Sequence, residues 1–196
     1  MSISRDMILA AVRANAPAPG AVLPTVPTFD RDMPSLLDSF RSAFELLGGN
    51  FVDYSPGDDL NVTLAELFPQ AGVICSAVPE IAGTKQLQDI KLPAELDDVD
   101  VGIVRPAFAV AETGSIWLSE VELGVIALGY LAQHLVVLLD PADILPNLHH
   151  AYRHPRFLTA KYAVLMTGPS ATADIEGVLI RGAQGIRSLK LLPVPR

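Results

Sequence analysis

Only one cysteine, Cys75, stands among the 196 residues. A lone thiol closes no intrachain disulfide, which fits a reducing compartment. It also cannot ligate an iron–sulfur cluster, which needs several thiolates. Within Ala71-Gly72-Val73-Ile74-Cys75 it reads as a small buried hydrophobe. Basic residues are scarce as well: 14 Lys and Arg face 22 Asp and Glu, for a formal net charge of −8. Such a surface repels a nucleic-acid backbone and anionic lipid, so both are poor general partners. One uncharged run, Leu123–Leu139, approaches the length of a membrane span. It contains Gly124, Gly129, Gln133 and His134 and is flanked by Glu122 and Asp140 rather than by basic residues. It is expected to form a buried helix and then a buried strand. The N-terminal MSISRDMILAAVRANA carries Asp6 and Arg13 and lacks the continuous apolar core of a signal peptide. The protein is expected to be soluble and cytoplasmic. The sequence shows no internal repeat and no Walker A, GxGxxG or GxSxG pattern.

What the chain has in plenty is apolar surface. Half of its residues are hydrophobic and 18% are charged, which excludes global disorder. Residues 1–30 read as an N-terminal helical arm followed by a proline-rich connector, and residues 31–196 as a single α/β domain. In the arm, Met7, Ile8, Ala11 and Val12 share one helix face. Leu36, Leu37, Phe40, Phe44 and Leu47 recur at helical spacing and are stopped by Gly48-Gly49. Asp58-Asp59 can cap a second helix that carries Leu60, Leu64, Leu67 and Phe68 and ends at Pro69. Short apolar runs of strand length follow at Ala71–Cys75, Val101–Val104, Ser115–Leu118, Leu135–Leu139 and Tyr162–Met166, with a last strand at Ser188–Val194. Continuous apolar runs suit strands buried on both faces. Alternating with helices, they predict a mostly parallel sheet between helical layers, with ligands at the carboxyl ends of the strands.

The most concentrated polar chemistry is TGPSATADIEG, residues 167–177, directly after the Tyr162–Met166 run. Two readings stand side by side. Ser170 or Thr172 could cap a helix starting near Ala173, with Asp174 and Glu176 in its first turn. Alternatively, the hydroxyls and free N–H groups of the turn hold a ligand anion and the acids orient a partner group. A second polar interruption is Ala111-Glu112-Thr113-Gly114-Ser115. An acid there is either a nucleophile or general base, or a turn acid held by backbone N–H groups or an ion pair. His149, His150 and His154 cluster, but Pro155 follows and no Glu-x-x-His accompanies them, so they read as a solvated helix end rather than zinc ligands. His134, at the head of Leu135–Leu139, reads as a hydrogen-bonded structural group that could also serve a site.

Taken together, Ala111-Glu112-Thr113-Gly114-Ser115, His134 before its apolar strand, Ile144-Leu145-Pro146 and above all Thr167-Gly168-Pro169-Ser170-Ala171-Thr172-Ala173-Asp174-Ile175-Glu176 resemble the LUD-domain family, whose best-known branch is lactate-utilization protein C. The likeness runs from about Val101 to the C-terminus. It implies a three-layer α/β/α fold similar to the sugar-phosphate isomerase and coenzyme A transferase superfamily. It also implies a part in bacterial oxidation of L-lactate to pyruvate, beside two partner proteins, at least one of which carries iron–sulfur clusters, with no cofactor in this chain. On the motif positions, Glu112 and Asp174 are the expected catalytic acids. Thr113, Gly114, His134, Gly168, Ser170, Thr172 and Glu176 are the expected ligand-binding residues, and no metal is expected. One departure stands out. Where the family often shows Gly-x-His-Gly-Pro, this chain has Gly182-Ala183-Gln184-Gly185-Ile186, and a glutamine cannot titrate. Two other functions remain open from the residues: a stand-alone enzyme acting on a small anionic metabolite such as an acyl-coenzyme A or a sugar phosphate, and a small-molecule sensor without catalysis.

Overall fold

The computed structural model describes residues 3–16, 20, 24–30, 34–173, 179–181 and 185–196. The N-terminal apolar face folds as α1 (Ile3–Ala14), with Met7, Ile8 and Val12 exposed. The next helix, α2 (Leu36–Leu46), starts where the Ser35 side chain accepts the Asp38 N–H. Its Phe40 and Phe44, one turn apart, are fully buried, and the chain leaves it through Gly48 at φ +92° into β1 (Asn50–Phe51). Asp59 caps α3 (Leu60–Leu67) by accepting the Asn61 and Val62 N–H groups, and those bonds hold its carboxyl below the ordinary range. Strand β2 (Ile74–Ser76) begins later than its apolar run, because one Asp100 oxygen takes the N–H groups of Gly72 and Val73 at 2.7 and 2.8 Å.

Then come β3 (Val101–Val104), β4 (Phe108–Val110), β5 (Ser115–Ser119), α4 (Glu120–Leu123), α5 (Leu128–Leu131) and β6 (His134–Leu139). The uncharged run Leu123–Leu139 is thus short helix followed by strand. Among the described residues no helix is long and apolar enough to cross a membrane. The chain continues through β7 (Ile144–Leu145), α6 (Leu148–Ala151), α7 (Pro155–Thr159), β8 (Ala163–Met166), β9 (Ala171–Ala173), β10 (Leu179–Arg181) and β11 (Ser188–Pro193).

The central sheet is parallel throughout, in the order β1-β11-β6-β3-β2, and helices flank it: an α/β fold. Two of the apolar runs, Ser115–Leu118 and Tyr162–Met166, do not join it. They pair antiparallel as β5 and β8 in a second sheet, β7-β4-β5-β8. Strand side chains alternate between faces, so each face of the central sheet has its own core. Val101, Ile103, Val136, Leu138 and Leu192 pack under α3 with Leu64. On the opposite face Val104, Leu135, Val137, Leu189 and Leu191 share a cluster with Phe40 and Phe44 of α2 and with Ala109, Ile116 and Leu118 of the second sheet. The outer face of that sheet, with Phe108, Val110 and Trp117, is covered by Ala151, Leu148 and Phe157.

The histidine cluster turns out to be where the connector is tied down. Asn147 donates to the Thr28 carbonyl, His150 Nε2 lies 3.1 Å from an Asp30 oxygen, and the His149 ring sits 5.7 Å from Phe29. His154 instead starts α7, its Nδ1 accepting the Arg156 N–H.

Candidate functional site

The two motif stretches meet on α2. Strand β4 turns into β5 through Ala111–Gly114, and Gly114 takes φ +62°. A Cβ there would lie 2.3 Å from the Phe44 nitrogen, so only glycine lets the turn rest on the α2 backbone. Thr113 Oγ1 donates to Ser115 Oγ at 2.8 Å, and Ser115, almost fully buried, is hydrogen-bonded in turn to the Thr167 hydroxyl. Thr167 opens the second turn. Its neighbour Gly168 sits at φ +70°, where a Cβ would lie 2.3 Å from the Leu47 carbonyl oxygen just beyond α2. A chain of three hydroxyls therefore joins turns 52 residues apart in sequence, and the motif glycines sit against the backbone of α2 and of the residue that follows it.

Glu112 points elsewhere. It is exposed, and its Oε2 accepts the Leu148 N–H at 3.0 Å, at the start of α6. The arrangement is that of a turn acid held by backbone.

Beyond the Thr167–Ser170 turn the structure corrects one expectation. Residues 171–173 are not a capped helix entry. They form β9, antiparallel to β10, with Thr172 opposite Ile180. The capping signal is local, whereas the pairing partner Leu179–Arg181 lies further along the chain. Ser170 commits its own N–H to the Ile186 carbonyl at 3.1 Å. Asp174, Glu176 and Gln184 lie outside the described residues.

The Thr167–Ser170 turn lines a cavity of about 310 Å³ together with Tyr130, Met166 and Gly185. Tyr130 shares a hydrogen bond with the Tyr162 hydroxyl, and burial, with that bond, pushes its phenol above the ordinary range. The phenol stays protonated at neutral pH. The cavity thus offers hydroxyl and phenol groups to a small polar ligand, with Val164, Met166 and Ile186 as apolar lining.

His134 is not part of that cavity. Its Nδ1 lies 2.8 Å from Ser188 Oγ, and the two residues are direct partners in the β6–β11 register. Its ring packs on Phe68 at 5.1 Å. Burial lowers its pKa first, and the charges of Arg187 and Lys190 lower it further, against an opposing effect from Asp100. These groups line a second cavity of about 670 Å³ at the amino ends of β3, β6 and β11. Strand β11 and the residues before it divide the two: Gly185 and Ile186 face one cavity, Arg187 and Ser188 the other.

Tyr130, Arg187, Ser188 and Lys190 are not among the expected site residues, and neither is Ser115, although it closes the stretch 111–115. Ser115 could have been found, since it directly follows Glu112-Thr113-Gly114. Tyr130 is carried by α5, and Arg187, Ser188 and Lys190 are placed by the register of β11 against β6, which no local pattern carries. Cys75 is fully buried in β2, and burial pushes its thiol up, as expected of a structural cysteine.

Comparison with known proteins adds family to geometry. The LUD domain matches residues 58–193, a span that holds both motif turns and the amino-end cavity but not α2. The fold is similar to the crystal structure of a DUF162 family protein from Deinococcus radiodurans, with a TM-score of 0.58 and 17% identity, covering 80% of this chain and 94% of that one. No curated protein matches. With the match reaching across most of the chain, from α3 to the last strand, the protein belongs to the LUD-domain family.

Proposed function

We propose that this chain is the non-redox component of a bacterial system that oxidises L-lactate to pyruvate, acting in the cytoplasm beside partners that carry the iron–sulfur clusters. The observation that carries this reading is the joining of the two family motifs through Ser115 and Thr167 beside a hydroxyl-lined cavity. Such a cavity suits the hydroxyl or carbonyl end of a small 2-oxygenated acid, which needs neutral donors at that end. The solitary, buried Cys75 supports placing electron transfer in other chains. Glu112 anchors the start of α6 from the same turn and so couples the motif to the surface where α6 meets the connector.

The test is reconstitution. Lactate-dependent reduction of the partners' clusters is measured with and without this chain, and with Glu112→Gln. The expected outcome is loss of reduction when the chain is omitted, and recovery with wild type. Glu112→Gln keeps an acceptor for the Leu148 N–H and should fold normally; a reduction rate below about a tenth of wild type would give the carboxylate a part beyond that anchor. Full reduction without the chain would overturn the reading. Turnover of an acyl-coenzyme A or a sugar phosphate by the isolated chain would replace it with a stand-alone enzyme.

A further inference from the structure

Of the cavities among the described residues, the one at the amino ends of β3, β6 and β11 has a chemistry that the motif turns do not explain. Arg41, Lys85, Arg105, Arg156 and Arg196 each meet a carboxylate. Arg5, Arg13, Lys91, Arg153 and Lys161 form no ion pair among the described residues, and neither do Arg187 and Lys190, but Arg187 and Lys190 line one cavity together. The one carboxylate beside them, Asp100, has an oxygen already engaged by the Gly72 and Val73 amides. Those bonds hold it ionised and turned to backbone. Lys190 Nζ is steadied 5.6 Å above the Phe68 ring, which also backs His134.

The Ser188–His134 pair contributes a donor in either tautomer. If Nδ1–H donates to Ser188, the serine O–H is left to donate elsewhere. If the serine donates to Nδ1, the proton sits on Nε2 and the imidazole donates. Two cations, one neutral donor and two glutamine side chains, Gln70 and Gln133, around about 670 Å³ make a receptor for negative oxygen.

From this placement we infer that the amino-end cavity binds a small molecule bearing a carboxylate or phosphate group, gripped by Arg187 and Lys190, with its uncharged part against Phe68 and Leu67. The inference stands apart from the motif turns and from the role proposed for them.

The experiment is an NMR titration of the full-length protein, following the His134 imidazole. The probes are inorganic phosphate, a nucleoside monophosphate, L-lactate and pyruvate, with sodium chloride at matched ionic strength and an acidic peptide as controls. A saturable shift with at least one oxyanion probe, absent with chloride, is expected. The phosphate and carboxylate arms tell the two ligand sources apart. Arg187→Gln and Lys190→Gln should each weaken that binding about ten-fold, with an unchanged melting temperature. Equal responses to chloride and to every oxyanion probe would overturn the inference. So would saturable binding that survives the double variant, or saturation by the acidic peptide alone, which would mark a protein-docking surface instead.

Discussion

His134 shows what a single side chain can be asked to report. Its folded pKa is lowered by burial and by Arg187 and Lys190, so the unfolded chain binds the proton more readily. The stability tied to a neutral His134 is therefore fully present above the ordinary histidine pKa. It is lost as pH falls through the lower folded value. Melting temperature should drop on acidification below about pH 6.5, and His134→Gln should flatten that part of the profile while leaving the Ser188 contact available to the amide. Identical pH profiles for variant and wild type would show that the imidazole is not titrating there. The same residue marks the limits of reading a sequence. A hydrogen-bonded histidine at a strand head was legible. Its partner Ser188 was not, because that pairing is a matter of strand register.

The helices and turns explain the motif glycines. Gly114 and Gly168 combine positive φ with backbone at 2.3 Å from the missing Cβ, that of Phe44 in α2 and of Leu47 just beyond it, so alanine at either meets both strain and overlap. Each substitution to alanine should cost about 2–4 kcal/mol in denaturant unfolding, the sum of a left-handed backbone penalty and overpacking. Gly57→Ala is the control: φ is +115° there, but nothing lies within 4 Å, and only the backbone part, about 1 kcal/mol, is at stake. If all three variants lose the same amount, the close approach of α2 is not what holds these turns. The helices themselves were readable from caps and spacing, since Ser35 and Asp59 do their work within their own first turns. The β9–β10 pairing was not, because the helix-start signal of Ser170 and Thr172 competes with strands of only three residues each.

Across the whole molecule, one core joins the two sheets. Phe44, fully buried, belongs to the cluster that holds both Leu189 of the central sheet and Ile116 of the second. Removing it should therefore weaken both together. Phe44→Ala should lose about 3–5 kcal/mol. Trp117 fluorescence, which reports the second sheet, should still unfold at the same midpoint as the far-ultraviolet circular dichroism. Separate midpoints would show that the sheets are independent folding units. The connector is bound to the same body by Thr28 and Asp30 on Asn147 and His150, while α1 keeps its apolar face exposed.

The sequence by itself determined the α/β class, helices α2 and α3, the apolar strands of the central sheet and the motifs that point to the LUD domain. Periodicity, caps and apolar runs are properties of neighbours along the chain. Tertiary structure alone decided which strands share a sheet. Val101–Val104 and Ser115–Ser119 are both apolar and both buried along their length, yet one pairs parallel in the centre and the other antiparallel beside it. It also decided that Glu112-Thr113-Gly114 meets Thr167-Gly168 while His134 faces a different cavity with Arg187 and Lys190. The physical reason is that hydrogen-bond register and charge placement across a sheet depend on distant partners. A short strand carries no local record of which partner it will meet.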